Sequence, residues 1–235
     1  MTFANVEEAI NQIELAMAAS DHFLKTEGTL PAKFYISTPG GQTIADPHTY
    51  PMLSGKGLSS RACRLFLNML CSKSGTRYLE VGTHTGSSLL AACYNNPLGR
   101  AVAIDDWSMD KNSKPKLLDN LKYFDANLRR KPELIEAEAF SMDKSKLGEF
   151  DVYFYDGCHS ADSTEKGLIC FWNNLAPVSI VVIDDYSIVR VQQGIIRAID
   201  KLGCKQHLRY AWTLPGGKGF EHLYWGGLAV MVFDK

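Results

Sequence analysis

The sequence predicts an α/β fold: a doubly wound, mostly parallel sheet with an antiparallel ending, preceded by an N-terminal helical extension. Three observations carry that prediction. From residue 77 onward short apolar runs alternate with segments of helical periodicity, the pattern of strands covered by helices on both faces. Two further apolar runs close the chain with no helix evident between them, which points to an antiparallel pair at the sheet edge. Ahead of these, residues 3–25 repeat apolar positions at helical spacing.

Taken in order, Val6, Ile10, Ile13, Leu15 and Met17 make 3–25 an amphipathic helix. Residues 26–55 hold many of the Gly, Pro and Thr residues and read as an irregular connection, in the place of a lid. Leu58, Ala62, Leu65, Phe66 and Leu70 form the stripe of a second helix over 58–71. Strands are expected at RYLEV (77–81), AVAID (101–105), ELIEA (133–137), DVYFY (151–155) and SIVVID (179–184), with helices at 87–95, 115–129, 162–174 and 188–202. HLRYAWTL (207–214) and GLAVMVF (227–233) are the closing pair, separated by a Gly-rich, polar stretch. The chain divides into 1–55, helix and lid, and 56–235, the main domain.

The totals fit one large domain with an extension. In 235 residues, 46% are hydrophobic and 22% charged, with a net charge of −1. That balance argues against a dedicated nucleic-acid binder, which normally carries a strong positive excess. One basic stretch stands out: Lys111, Lys114, Lys116, Lys122, Arg129, Arg130 and Lys131 face only Asp119 and Asp125 within it. It reads either as a solvated helix face or as a site for an acidic partner. The N-terminus is interrupted by Glu7, Glu8 and Glu14, so neither a signal peptide nor a membrane span is expected. The six scattered cysteines then read as reduced thiols of a cytoplasmic protein.

In a sheet of this kind ligands bind outside the carboxyl ends of the strands, where strand order reverses. The first strand ends in Glu80-Val81-Gly82-Thr83-His84-Thr85-Gly86-Ser87-Ser88. Gly82 and Gly86 permit a tight turn, and Ser87 and Ser88 open a helix whose free N–H groups suit an anion. The second strand ends in Asp105-Asp106-Trp107, a carboxylate for ribose hydroxyls and an indole for a flat base. The spacing G-x-x-x-G is not the dinucleotide motif G-x-G-x-x-G, which argues against a nicotinamide-dependent dehydrogenase. An acidic residue before the turn, and an acidic strand end about twenty residues on, point to a nucleoside-bearing cofactor.

LEVGTHTGSS, AIDDW, DVYFYDGCHS and IVVIDDY together resemble the class I S-adenosylmethionine-dependent methyltransferases, and among them the metal-dependent O-methyltransferases of catechol-type and sugar-hydroxyl substrates. The resemblance covers residues 50–233 and makes 56–235 the methyltransferase domain. It implies a seven-stranded sheet with the last strand antiparallel. It further implies that Glu80, Gly82, Thr83 and Gly86 shape the cofactor turn and that Ser88 contacts the methionine carboxylate. Asp105, flanked by Asp106 and Trp107, would hold the ribose, Ser141 would lie near adenine, and Gly55-Lys56-Gly57 would close over the amino-acid end.

The fourth strand ends in Asp156 and the fifth in Asp184-Asp185. If those strands are neighbours, three carboxylates meet and repel, and a hard cation such as Mg²⁺ resolves the conflict. The resemblance implies the same metal set, Asp156, Asp184 and Asp185. His159 then reads as the base that deprotonates an acidified hydroxyl of a small-molecule substrate. Blander readings stand beside these. A histidine before a helix is often solvated or a cap, while Ser160, Asp162 and Glu165 can cap without it, and an aspartate after a strand can cap the next helix. His84 reads as a turn residue and Cys158 as a pocket wall. Tyr186 is expected to face substrate, whereas Trp212, Tyr224 and Trp225 line a pocket or simply pack. A module that binds the cofactor without chemistry is the alternative function, which the presence of Asp156, His159, Asp184 and Asp185 opposes. The N-terminal helix offers a surface for a homo-oligomer.

Overall fold

The computed structural model describes residues 2–25, 57–212 and 226–235. The expected lid at 26–55, with Gly55 and Lys56, lies outside the described residues, as do Tyr224, Trp225 and the side chain of Trp212. The elements are α1 (Val6–Lys25), α2 (Arg61–Leu70), β1 (Arg77–Val81), α3 (Ser87–Cys93), β2 (Arg100–Asp105), α4 (Ser113–Tyr123), β3 (Glu133–Glu136), β4 (Phe150–Tyr155), α5 (Ala161–Phe171), β5 (Leu175–Asp184), α6 (Val189–Leu202), β6 (Lys205–Trp212) and β7 (Leu228–Asp234).

Seven strands form one sheet in the order β3-β2-β1-β4-β5-β7-β6. The pairs from β3 to β5 are parallel. β7 inserts between β5 and β6 and runs antiparallel to both, so the sheet matches the expected architecture. Strand order reverses between β1 and β4, and the carboxyl ends of that pair are Val81 and Tyr155. The ligand crevice of a doubly wound sheet opens at such a point.

Alternation along the strands sorts the core into two layers. Tyr78, Val152, Phe154, Ile180 and Val182 face the layer containing α1, α2 and α3. Leu79, Val81, Tyr153, Tyr155, Val181 and Ile183 face α5 and α6. α1 lies before the boundary expected at residue 55, yet Ala9, Ile13, Ala16 and Ala19 are buried in the same cluster as α2 and the sheet. The Thr2 hydroxyl donates to the buried Asp151 carboxylate at 2.7 Å, tying the chain start to β4. α1 is therefore part of the domain's core.

Two helices are shorter than their apolar periodicity suggests. The helix expected over 115–129 runs from Ser113 to Tyr123 and continues as a 3-10 turn, Asp125–Asn127. The one expected over 162–174 likewise ends in a 3-10 turn, Trp172–Asn174. β5 begins at Leu175, ahead of the expected Ser179, because Leu175 pairs with Phe150 across a register shift.

Three of the seven cations in the basic stretch stand near a carboxylate. Lys114 meets Glu136 and Lys131 meets Asp125, while Lys116 stands 3.9 Å from Asp110. Leu121, Lys122, Asp125, Leu128, Lys131 and Pro132 line a cavity of about 350 Å³. Among the described residues all six cysteines are free thiols, and no helix is long and apolar enough to cross a membrane.

Candidate functional site

The loop after β1 is held by backbone and carboxylate bonds that leave little freedom. Gly82 donates to Ile104 O at 3.0 Å, and Gly86 donates to Thr83 O at 2.8 Å. Gly82 has φ +91, and a Cβ there would overlap the carbonyl oxygen of Asp156, so β1 and β4 approach as closely as backbone allows. Asp105, at the end of β2, accepts from the amides of His84 and Trp107, both at 2.7 Å. One carboxylate thus fastens the two loops together, and its remaining lone pairs stay available to a ligand.

Glu80 is fully buried on the α3 side of β1. Tyr78, two residues earlier on the same strand face, donates its hydroxyl at 2.6 Å, and Ser88 donates at 2.9 Å. Burial nonetheless pushes the Glu80 carboxyl up to about 8, because these bonds do not match the hydration it has lost. Tyr78 was not anticipated from the sequence, although the period-two alternation from Tyr78 to Glu80 was the signal that could have found it.

The other residues named from the sequence are placed as follows. The Ser88 hydroxyl is committed to Glu80, and the hydroxyl facing the 57–59 stretch is that of Ser87, 2.8 Å from Ser59 Oγ. Trp107 is only 4% exposed: its indole donates to His84 O at 2.9 Å, with the Lys114 ammonium 5.1 Å over its ring. Asp106 is exposed and closes a local turn by accepting from Ser108. Ser141 is exposed after β3, its amide bound to Glu138. Tyr186 packs in the α5–α6 layer at 8% exposure. Thr83 is buried in the loop.

On the other side of the crevice, Asp156, His159 and Asp185 converge. One ligand atom from each lies within 4.8 Å of the others. His159 Nε2 is 2.8 Å from Asp185 Oδ2 and 4.0 Å from Asp156 Oδ1. Asp184 is not part of this group, although it ends the same strand. The Ser160 side chain caps α5 by accepting from Ser163 N at 3.1 Å, so His159 is not the cap.

Asp185 reaches the cluster through a left-handed residue conformation, φ +55. The turn is fixed by Ser187 N donating to Gly226 O at 2.8 Å and Tyr186 N to Gly227 O at 3.3 Å, which zips it to the entry of β7. His84 and Trp107 also have positive φ. Non-glycine residues in that region concentrate where backbone is bent around a ligand.

The charges of the cluster are unbalanced. Burial and the carboxylates of Asp184 and Asp185 hold Asp156 well above the usual carboxylate range. Burial, then Asp185, pushes Asp184 up to about 7. The bond to Asp185 raises the His159 imidazole, against the opposing effect of burial.

Fold and site together define a doubly wound α/β domain whose glycine turn faces an acidic, imidazole-bearing cluster. Residues 79–186 match a family described as a methyltransferase domain, and the doubly wound sheet is the fold shared with solved methyltransferases. No curated protein matches the chain in sequence. Among solved structures, an O-methyltransferase from Bacillus cereus in complex with SAH is similar at 17% identity and a TM-score of 0.60, over 94% of this chain and 100% of that one. A Klebsiella pneumoniae protein, whose O-methyltransferase assignment is itself an inference, gives 16% and 0.59 over the same shares. Precorrin-6y C5,15-methyltransferase from Geobacter metallireducens gives 18% and 0.55, over 77% and 91%. At such identities the likeness is one of fold.

Proposed function

We propose that the protein transfers the methyl group of S-adenosylmethionine to a hydroxyl oxygen of a small molecule, assisted by a divalent cation such as Mg²⁺. The observation that carries this reading is the convergence of Asp156, His159 and Asp185 against the glycine loop. Similarity to O-methyltransferase structures supports it.

The residues suit both groups. Glu80 is a buried carboxylate short of a counter-charge, which an ammonium group would supply. The Thr85 hydroxyl is buried without a protein partner in the same loop, a free polar contact for a ligand. Asp156 and Asp185 offer hard oxygens that would hold the cation, and Asp184 adds negative charge behind them. Bound S-adenosylmethionine supplies a methyl carbon activated by a sulfonium, and a bound cation supplies the Lewis acidity that makes a hydroxyl easier to deprotonate.

The chain's own part is positioning and proton transfer. Asp185 fixes the imidazole tautomer with the proton on Nε2, leaving Nδ1 as the basic nitrogen of His159. When Nδ1 takes the acceptor's proton, the same carboxylate steadies the imidazolium. Calorimetric titration with S-adenosylmethionine, with and without Mg²⁺, tests the core of the reading: binding is expected, and silence under both conditions would overturn it. Transfer of isotope-labelled methyl to a panel of hydroxyl acceptors, undiminished by excess chelator, would defeat the metal part.

A further inference from the structure

Arg64 sits in the first turn of α2 and is almost wholly buried, at 3% exposure. Burial lowers its guanidinium from the usual arginine value. Its Nε donates to Ser59 Oγ at 3.0 Å, and Ser59 Oγ donates to Ser87 Oγ at 2.8 Å. A cation therefore orients two hydroxyls in series, and the proton of Ser87 is left to point onward.

That onward direction is bounded by glycine. A Cβ at Gly57 would come within 2.6 Å of Ser87 Oγ and 3.3 Å of Arg64 Nη2. One guanidinium nitrogen and one hydroxyl thus lie together against Gly57, beside the turn that follows β1. This end of α2 also lies on the ligand side of the sheet, since the neighbouring Cys63 feels the charges of Asp184 and Asp156. Ser88 has a single proton, already given to Glu80, so it has none for a carboxylate.

We propose that Arg64, acting with Ser59 and Ser87, seats the carboxylate of the cofactor's amino-acid end. The inference rests on the reading of the site as one for S-adenosylmethionine. Glu80 and Arg64 then form a buried acid and a buried base that read the two charges of an α-amino acid, one on each side of the α3 entry. Ser88 serves the ammonium end through Glu80 rather than the carboxylate.

The test compares S-adenosylmethionine with its decarboxylated analogue, which keeps the ammonium and lacks only the carboxylate. Calorimetry on the purified protein should show the parent bound more tightly. Arg64→Gln should weaken the parent by about 100-fold, the scale of a lost charge-assisted hydrogen-bond pair, and leave the analogue within about 3-fold. Ser87→Ala should weaken the parent alone, by about 5-fold to 10-fold. Ser88→Ala should weaken both ligands alike.

Binding of the analogue reports folding of each variant independently. If Arg64→Gln fails to fold, Ser59→Ala and Ser87→Ala decide the matter, and an unchanged ratio of affinities in both overturns the proposal. A ratio that collapses in Ser88→Ala but not in Arg64→Gln overturns it as well. Failure of the unaltered protein to bind S-adenosylmethionine would strike the functional reading instead.

Discussion

The two sides of the crevice are built by opposite means. At the β1–β2 side the carboxylates and the indole have partners within the protein: Glu80 in Tyr78 and Ser88, Asp105 in two amides, the Trp107 indole in His84 O; the Thr85 hydroxyl is left open. At the β4–β5 side, Asp156, Asp185 and His159 converge with one short bond, His159 to Asp185, between the imidazole and a carboxylate, and the charge of Asp184 stands behind them. The first side is a mould already set, so a ligand finds its partners in place. The second holds excess negative charge that only protons or a cation relieve. Binding and chemistry should therefore separate on mutation.

His159→Ala should make the largest difference between the sides. As the proposed base, its loss should lower turnover by about 10³-fold, within the range for a general base. Cofactor affinity should stay within about 2-fold, since no β1–β2 contact is touched. Titration calorimetry alongside single-turnover methyl transfer checks both, and a matching loss of affinity would show that the two sides are not separate.

Glu80→Gln should do the reverse, weakening the cofactor by about 100-fold through loss of the charge facing its ammonium. It also carries a pH signature. The carboxyl has an ordinary value of 4.5 and is raised to about 8 in the folded protein. The folded state therefore holds the proton more tightly, its stability is greatest below 4.5 and falls as pH rises toward 8, and above that it is level. Each pKa unit corresponds to about 1.4 kcal/mol. Asp184 and Asp156 slope the same way, so Tm of the cofactor-free protein should fall between pH 6 and 8 and fall less steeply in the Gln variant. Parallel curves for the two proteins would remove Glu80 as a buried acid.

The contrast also explains what could be read from the sequence. Strand ends were legible because apolar runs stop at charged residues, so Asp105, Asp156 and the pair Asp184-Asp185 could be placed at the carboxyl edge of the sheet by position alone. Side-chain direction was not. Ser87 and Ser88 are adjacent, and only the rotation of α3 decides which meets Glu80 and which meets Ser59. Trp107 sits after an acidic strand end, where an indole suits a base, yet its φ of +49 turns the ring into the loop. His159 and Asp184 depended on a turn: a left-handed residue at 185 swings that carboxylate to the imidazole and leaves its neighbour outside the cluster. Burial of α1 escaped because an amphipathic stripe shows that a helix packs, not against what.

Gly82→Ala probes the seam. A Cβ at φ +91 is strained and would overlap the Asp156 carbonyl oxygen, which belongs to backbone and cannot move aside. The expected cost is about 2–4 kcal/mol of stability, read as a lowered midpoint in urea with an unchanged slope. Because the displaced atom carries Asp156, turnover and cofactor affinity should both fall in the protein that remains folded. A variant as stable as the parent would mean that β1 and β4 do not approach so closely.

The smallest effect is expected at Trp107, and it discriminates between two pictures of the cofactor side. A phenylalanine there keeps most of the buried apolar ring but loses the indole N–H that donates to His84 O at 2.9 Å. The loss is worth about 1 kcal/mol of stability. With the ring inside the loop, a cofactor meets it only through the backbone it supports, so affinity should change by less than about 3-fold, whereas an indole stacked on adenine would be worth ~1–3 kcal/mol and its loss would cost more. Titration of adenosine alone, which carries the base without the amino-acid end, isolates that contact: equal affinity in Trp107→Phe and the parent keeps the indole as a strut between the two loops, and a clear loss would return it to the ligand.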